Sequence, residues 1–273
     1  MEYHALITGM PVIKADDKTP RVTLPQIRTD YIPQLNRADQ RLVGLYLLRY
    51  DNRNLIAALA GKETFDDRAL YSREDLAKAI EAVKRNDTAN RELPGYIYDF
   101  IGRYDSLGDI VPEDELSRLY FAHALAAKND FVRSWFEFER DTNNLFTVFT
   151  GNQHGFDARP FIIGDDATSE ALRTSTQPDF GLGTSLPYYS DIRRIAAIED
   201  AVDKERELDA YRFRWLADKT FFHYFTVERV FAYVIMVDII ERWSRLDAEK
   251  GQQVFRDLIG DISSKAELPE EFR

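Results

Sequence analysis

The sequence predicts an all-α protein made of two to three related helical modules. Three observations carry this expectation. Apolar residues recur at helical spacing over most of the chain, helix-start signals stand where those stripes begin, and glycine and proline number only 13 and 10 in 273 residues, too few for a turn-rich all-β chain. Hydrophobic residues make up 44% and charged residues 30%, with 18 Phe, 14 Tyr and 3 Trp, a composition that folds and buries a core. This length suits one large domain or several small helical ones, and the expected divisions are 1–90, 91–186 and 187–273.

After the apolar opening from Tyr3 to Val12, a polar stretch from Lys14 to Arg21 reads as a loop. Thr23 with Gln26 three residues on forms a capping box that opens a helix toward Leu35. Leu42, Leu45, Tyr46, Leu47 and Leu48 then supply a helical stripe that should end at the polar cluster Asp51 to Asn54, where a second helix restarts. Ser72 caps the next helix, with Glu74 and Asp75 in its first turn where the helix dipole favours them, and this helix should run to Lys84. Pro112 followed by Glu113, Asp114 and Glu115 is another start, continued by Leu116, Leu119, Tyr120, His123, Ala124 and Ala127 on one face. The stretch from Gly151 to Pro187 collects glycine and proline and reads as a loose excursion with one short helix. From Asp191 to Ile259 the pattern is helical again, enough for two or three antiparallel helices.

Comparison of the chain with itself shows a repeat. Asp51-Asn52-Arg53-Asn54-Leu55 returns as Asp141-Thr142-Asn143-Asn144-Leu145, D-x-x-N-L at an offset of 141 − 51 = 90. Gly61 is answered by Gly151, and Leu42, Leu45, Tyr46 and Leu48 by Val132, Trp135, Phe136 and Phe138. One residue out of step, Phe65-Asp66-Asp67-Arg68 is answered by Phe156-Asp157-Ala158-Arg159, and further on Ser72-x-Glu74-x-Leu76 by Thr168-x-Glu170-x-Leu172. The expected role of D-x-x-N-L is a helix corner: Asp51 and Asp141 cap a new helix, Asn54 and Asn144 reach back to the cap, and each good cap contributes about 1 kcal/mol.

A helix, a D-x-x-N-L corner, a glycine, a short loop and a capped helix together resemble the module of the C/d family of V/A-type rotary ATPase components, the C component of the family's type enzymes and the d component of the eukaryotic vacuolar one. The opening Tyr3-His4-Ala5-Leu6-Ile7 with Met10-Pro11, the Asp51-Asn52-Arg53-Asn54 block and the late Arg242-Trp243 are similar, more closely, to a bacterial family whose genes lie among those of V-type ATPases. The resemblance implies an all-helical funnel of three related modules with no catalytic residues, no cofactor and no metal. It implies a place between the central rotor axle and the membrane proteolipid ring, in an assembly devoted to ion or proton transport. A third module belongs near Phe222 to Ile259, where no D-x-x-N-L is legible and only Val227-Glu228-Arg229-Val230 and the stretch through Asp238, Ile239 and Ile240 stand in.

The remaining chemistry narrows the function classes. With 47 acidic against 36 basic residues, a net charge of −11, the surface repels phosphate backbones, so nucleic acid is not an expected partner. There is no cysteine, which removes disulfides, thiol catalysis and thiolate zinc sites. Met1 to Asp16 lacks a basic start and a long apolar core, and Val230 to Ile240 is too short to cross a bilayer, so the expected location is the cytoplasm, peripheral to a membrane only through a complex. His4, His123, His154 and His223 are scattered outside any metal-binding spacing, and no phosphate-cradling glycine motif occurs; Gly181-Leu182-Gly183-Thr184-Ser185 reads as a turn. Glu137 and Asp141 share a helical face and would be the acids of an alternative, a metal-dependent helical enzyme, although Arg133 and Arg140 stand ready to neutralise them. A transient assembly factor of the same ATPase is the other alternative. The aromatic run Phe221, Phe222, Tyr224 and Phe225 is expected in the core at a helix start; exposed, it would be an interface anchor.

Overall fold

The computed structural model describes residues 2–89 and 91–265, with side chains as far as Asp247. It is all-helical, and no strand occurs among the described residues. After α1 (His4–Gly9), the predicted capping box opens α2 (Leu24–Gln26): Thr23 Oγ1 accepts from the Gln26 N–H while Gln26 Oε1 accepts from the Thr23 N–H. The run then widens into a π turn at Ile27–Tyr31 and tightens into a 3-10 turn at Ile32–Gln34. Asn36 caps α3 (Arg37–Leu59) and Ser72 caps α4 (Arg73–Lys84), the second in a reciprocal box with Asp75. α5 (Gly95–Arg103) follows, then α6 (Pro112–Leu125), which has its proline and three acids in the first turn as expected.

Asn129 caps α7 (Asp130–His154). The excursion that comes next holds one short helix, α8 (Ala167–Thr174), and leads to α9 (Tyr189–Ala196). α10 (Ala201–Lys219) is capped by Asp200, and the chain continues in α11 (Val227–Lys265). α11 packs on α3, α7 and α10; α6 bridges α3 to α7; α8 and α9 lie on α7. Every residue from Val230 to Asp238 is buried, so α11 is enclosed on all sides there, which is why its apolar residues follow one another without a polar face. The densest packing around it is aromatic: Phe138 stacks on Trp215 with centroids 5.3 Å apart, and Trp135, Phe136 and Phe231 lock edge to face with their neighbours. The apolar core contains residues from 1–90, 91–186 and 187–273 alike. No helix among the described residues is long and apolar enough to cross a membrane.

Four expectations are corrected. The D-x-x-N-L blocks are not corners: Asp51 and Asn54 lie inside the unbroken α3, and Asp141 and Asn144 inside the unbroken α7. Neither D-x-x-N-L block holds a glycine or proline to interrupt the ladder, and Asp and Asn three residues apart share one helix face, where a returning loop supplies partners. Gly61 and Gly151 are not equivalent. Gly61 follows α3 with φ 69°, the role Gly155 plays after α7 with φ 73°, whereas Gly151 lies inside α7, where it leaves room for the returning loop: a Cβ there would come within 2.9 Å of the Ala158 Cβ. The cap of α8 is Asp166, which accepts from the Thr168 and Ser169 N–H groups, and Thr168 is already inside the helix. Finally, Phe221, Phe222 and Tyr224 are exposed at the α10–α11 connection, 64%, 80% and 61%, and only Phe225 tucks inward, its ring 4.1 Å from that of His4.

Candidate functional site

The two D-x-x-N-L blocks build loop clasps from helix interiors. Asn54 holds the peptide of Asp66 from both sides, its Nδ2 donating to the Asp66 carbonyl at 2.9 Å and its Oδ1 accepting from the Asp66 N–H at 2.7 Å. Asn144 holds Ile163 in the same way, at 2.8 Å each. The F-D-x-R blocks are also alike: Asp66 accepts from the N–H and the guanidinium of Arg68, and Asp157 from those of Arg159. Leu76 and Leu172, on the returning helices, are both buried.

The two aspartates have different partners. Asp51 accepts from the N–H groups of Leu70 at 3.0 Å and Tyr71 at 2.9 Å, just ahead of α4. Asp141 is paired with Arg140 at 2.8 Å and accepts from the Tyr188 hydroxyl at 2.7 Å; Arg140 in turn reaches Asp166, the cap of α8, at 2.7 Å. Burial pushes the Asp51 carboxyl up to about 7 against the pull of the two N–H donors, and raises Asp141 in part against Arg140. Since the folded-state value of Asp51 lies above the ordinary 3.8, its contribution to stability is complete below about pH 4 and is lost as the pH rises through about 7. Between pH 5 and 8 the wild type should therefore lose stability relative to Asp51→Asn, by at most about 1.4 kcal/mol per pH unit. Urea midpoints of both proteins across that range check this, and a constant difference would refute it.

α11 carries a comparable pair that leaves little trace in the sequence. Asp238 accepts from the hydroxyls of Tyr46 at 2.6 Å and Tyr50 at 2.5 Å and lies 3.5 Å from Arg68, all on the α3 side. Three residues later Glu241 accepts from the Leu24 N–H at 3.0 Å, a one-sided hold on the N-terminal segment where the asparagines hold their loops from both sides. Asp238 stands as far into α11 as Asp141 stands into α7. The available signal was the D-x-x-E spacing, concealed by glutamate in place of asparagine and by an isoleucine-rich context.

A second set of ion pairs, centred on the buried Glu139 and Asp209, joins α7, α10 and α11. Arg212 of α10 donates to Glu139 of α7 at 2.7 Å and to Asp209 at 3.1 Å; Arg242 of α11 pairs with Asp209 and, at 2.9 Å, with Glu205; the Trp243 indole N–H donates to Asp209 at 2.9 Å. Together with Tyr46, Tyr50 and Asp238, the charged groups Glu139, Glu205, Asp209, Arg212 and Arg242 wall a cavity of about 440 Å³.

The other sequence candidates disperse. Glu137 pairs with Arg133 at 3.8 Å at the surface while Asp141 faces Arg140 and Tyr188, so the two acids take separate partners. His123 stands 5.1 Å from the Tyr96 ring and is held below its ordinary value by burial; His223 stands 3.8 Å from Glu228. Among the described residues no three histidine or carboxylate side chains gather into a possible metal site.

Fold and site define an all-helical protein whose long helices are laced to loops and to one another by buried polar side chains. The chain belongs to the family described as "Protein of unknown function (DUF2764)", whose model matches residues 1–266. No curated protein and no solved structure matches it.

Proposed function

We propose that the chain is a non-catalytic coupling subunit of a V/A-type rotary ATPase, seated between the central axle and the membrane proteolipid ring. The observation that carries this reading is the paired recurrence of D-x-x-N-L and F-D-x-R, each copy with an aspartate–arginine fork and an asparagine clasp on the loop that follows its long helix, the first on the fork's own Asp66 and the second on Ile163 beyond its fork. It supports kinship with the duplicated modules of the C/d family. On this reading α11, with Asp238 and Glu241, is the long helix of a third module closed by the N-terminal segment.

A part that passes torque by shape must resist twisting. The ties from α3 to α11, from α7 to α10 and from α7 to α8 suit that task, because each joins two helices through side chains with little freedom to move. The exposed Phe221, Phe222 and Tyr224 provide an anchor for a neighbouring ATPase component, since large aromatic side chains dominate the energy of protein interfaces.

Affinity capture of the native protein from its source cells should recover ATPase subunits. Capture of none of them, with the complex intact in the same lysate, would overturn the reading. Replacing Phe221 and Phe222 together by serine should weaken that capture by at least about tenfold, a loss of roughly 1.4 kcal/mol or more at the interface. The same change should alter folding stability by less than about 0.5 kcal/mol, because both rings are largely in solvent.

A further inference from the structure

We propose that the cavity between α3, α7, α10 and α11 binds a small phosphate-bearing anion. Six arginines line it, Arg49, Arg53, Arg68, Arg212, Arg242 and Arg245, and no lysine, in a chain whose overall balance is acidic. Guanidinium groups present planar forks that match phosphate oxygens and keep their charge at any physiological pH. A volume of about 440 Å³ falls within the range of small-molecule sites, roughly 300–1,000 Å³.

The four acids of the wall are already matched. Glu139 has Arg212 at 2.7 Å and Arg49 at 3.6 Å; Asp209 has Arg212 and Arg242; Glu205 has Arg242 at 2.9 Å; Asp238 has Arg68 and two tyrosine hydroxyls. Asp66, outside the wall, takes the rest of Arg68. Two cations of the wall are only loosely held. Arg53 makes no ion pair within 4.0 Å among the described residues, standing over the Tyr50 ring at 5.7 Å and acting on Asp66 from farther away, and Arg245 has, among the described residues, one long pair with Glu241 at 4.0 Å. Both also line the adjoining hollow beside the α3–α4 loop, which places them at the rim where a ligand enters.

Six arginines against four acids leave the wall two positive charges in excess, which matches a dianion such as a phosphate group near neutral pH. This assignment stands apart from the ATPase reading and survives its failure.

Calorimetric titration of the full-length protein at constant ionic strength, with inorganic phosphate, pyrophosphate, glycerol 2-phosphate and acetate, tests it. At least one of the three phosphate compounds should give saturable binding at one site per chain, and acetate should give none. Preference for glycerol 2-phosphate would assign an organic phosphate ester, and preference for either inorganic compound a free phosphate; both outcomes support the site. Arg53→Ala with Arg245→Ala should weaken binding by at least about tenfold while leaving the thermal midpoint without ligand unchanged, both side chains being exposed. Arg53→Lys with Arg245→Lys should restore only part of it. Absence of saturable binding, undiminished binding by the alanine pair, or full binding by the lysine pair would each overturn the proposal.

Discussion

Asp238→Ala should destabilise the protein by about 3–5 kcal/mol, the loss expected when one partner of a buried charged cluster is removed. Asp238 is the acceptor for two tyrosine hydroxyls, Tyr46 and Tyr50, both belonging to buried residues of α3, and it balances Arg68 from the α3–α4 loop. Truncation takes from both hydroxyls the acceptor they share and from Arg68 one of its two carboxylate partners. Asp238→Asn keeps one acceptor oxygen and nearly the same shape, so its cost should be about 1–3 kcal/mol. Urea unfolding at pH 7 followed by far-ultraviolet circular dichroism measures both. If alanine at 238 costs less than about 1 kcal/mol, the α3–α11 tie contributes little to the frame.

Arg140→Ala should be comparably harmful, with a dependence on pH that identifies the cause. Arg140 is buried between Asp141 and Asp166, so its removal leaves Asp141 without a cation and takes a partner from the cap of α8. At pH 8 the loss should be about 3–5 kcal/mol. Burial already raises Asp141 above its ordinary value, and without Arg140 the carboxyl rises further, so it takes up a proton on acidification and the penalty shrinks. The gap between variant and wild type should therefore narrow from pH 8 to pH 5. An equal gap at both values would show that lost packing, not lost charge, is responsible.

What is legible in the sequence, and what is hidden, divides along a physical line. Local rules do well. The Thr23–Gln26 box, the Ser72 cap and the Pro112 start all appear where side chain and backbone a few residues apart dictate them. The D-x-x-N-L blocks stand out but mislead, because capping and clasping use the same residue types at the same spacing. Only the distance of the partner separates them: Asn54 meets Asp66 twelve residues on, not the turn beside it. Asp238, Arg212 and the cavity are out of reach because their partners come from other helices, and no local pattern records such a meeting. The exposure of Phe221 and Phe222 is hidden for the opposite reason: aromatic residues beside a helix start are ordinarily buried, and these two sit on a turn that no described residue covers.

The bond from Tyr46 to Asp238 spans 192 positions of the chain. During synthesis α3 leaves the ribosome long before α11 is made, and for that interval its buried hydroxyls have only water or a chaperone for company. At roughly 5–20 residues per second the wait lasts on the order of ten seconds or more. The core of such a polypeptide closes only when α11 slides into the space prepared for it, and a nascent chain halted before that point would expose the apolar lining meant for α11.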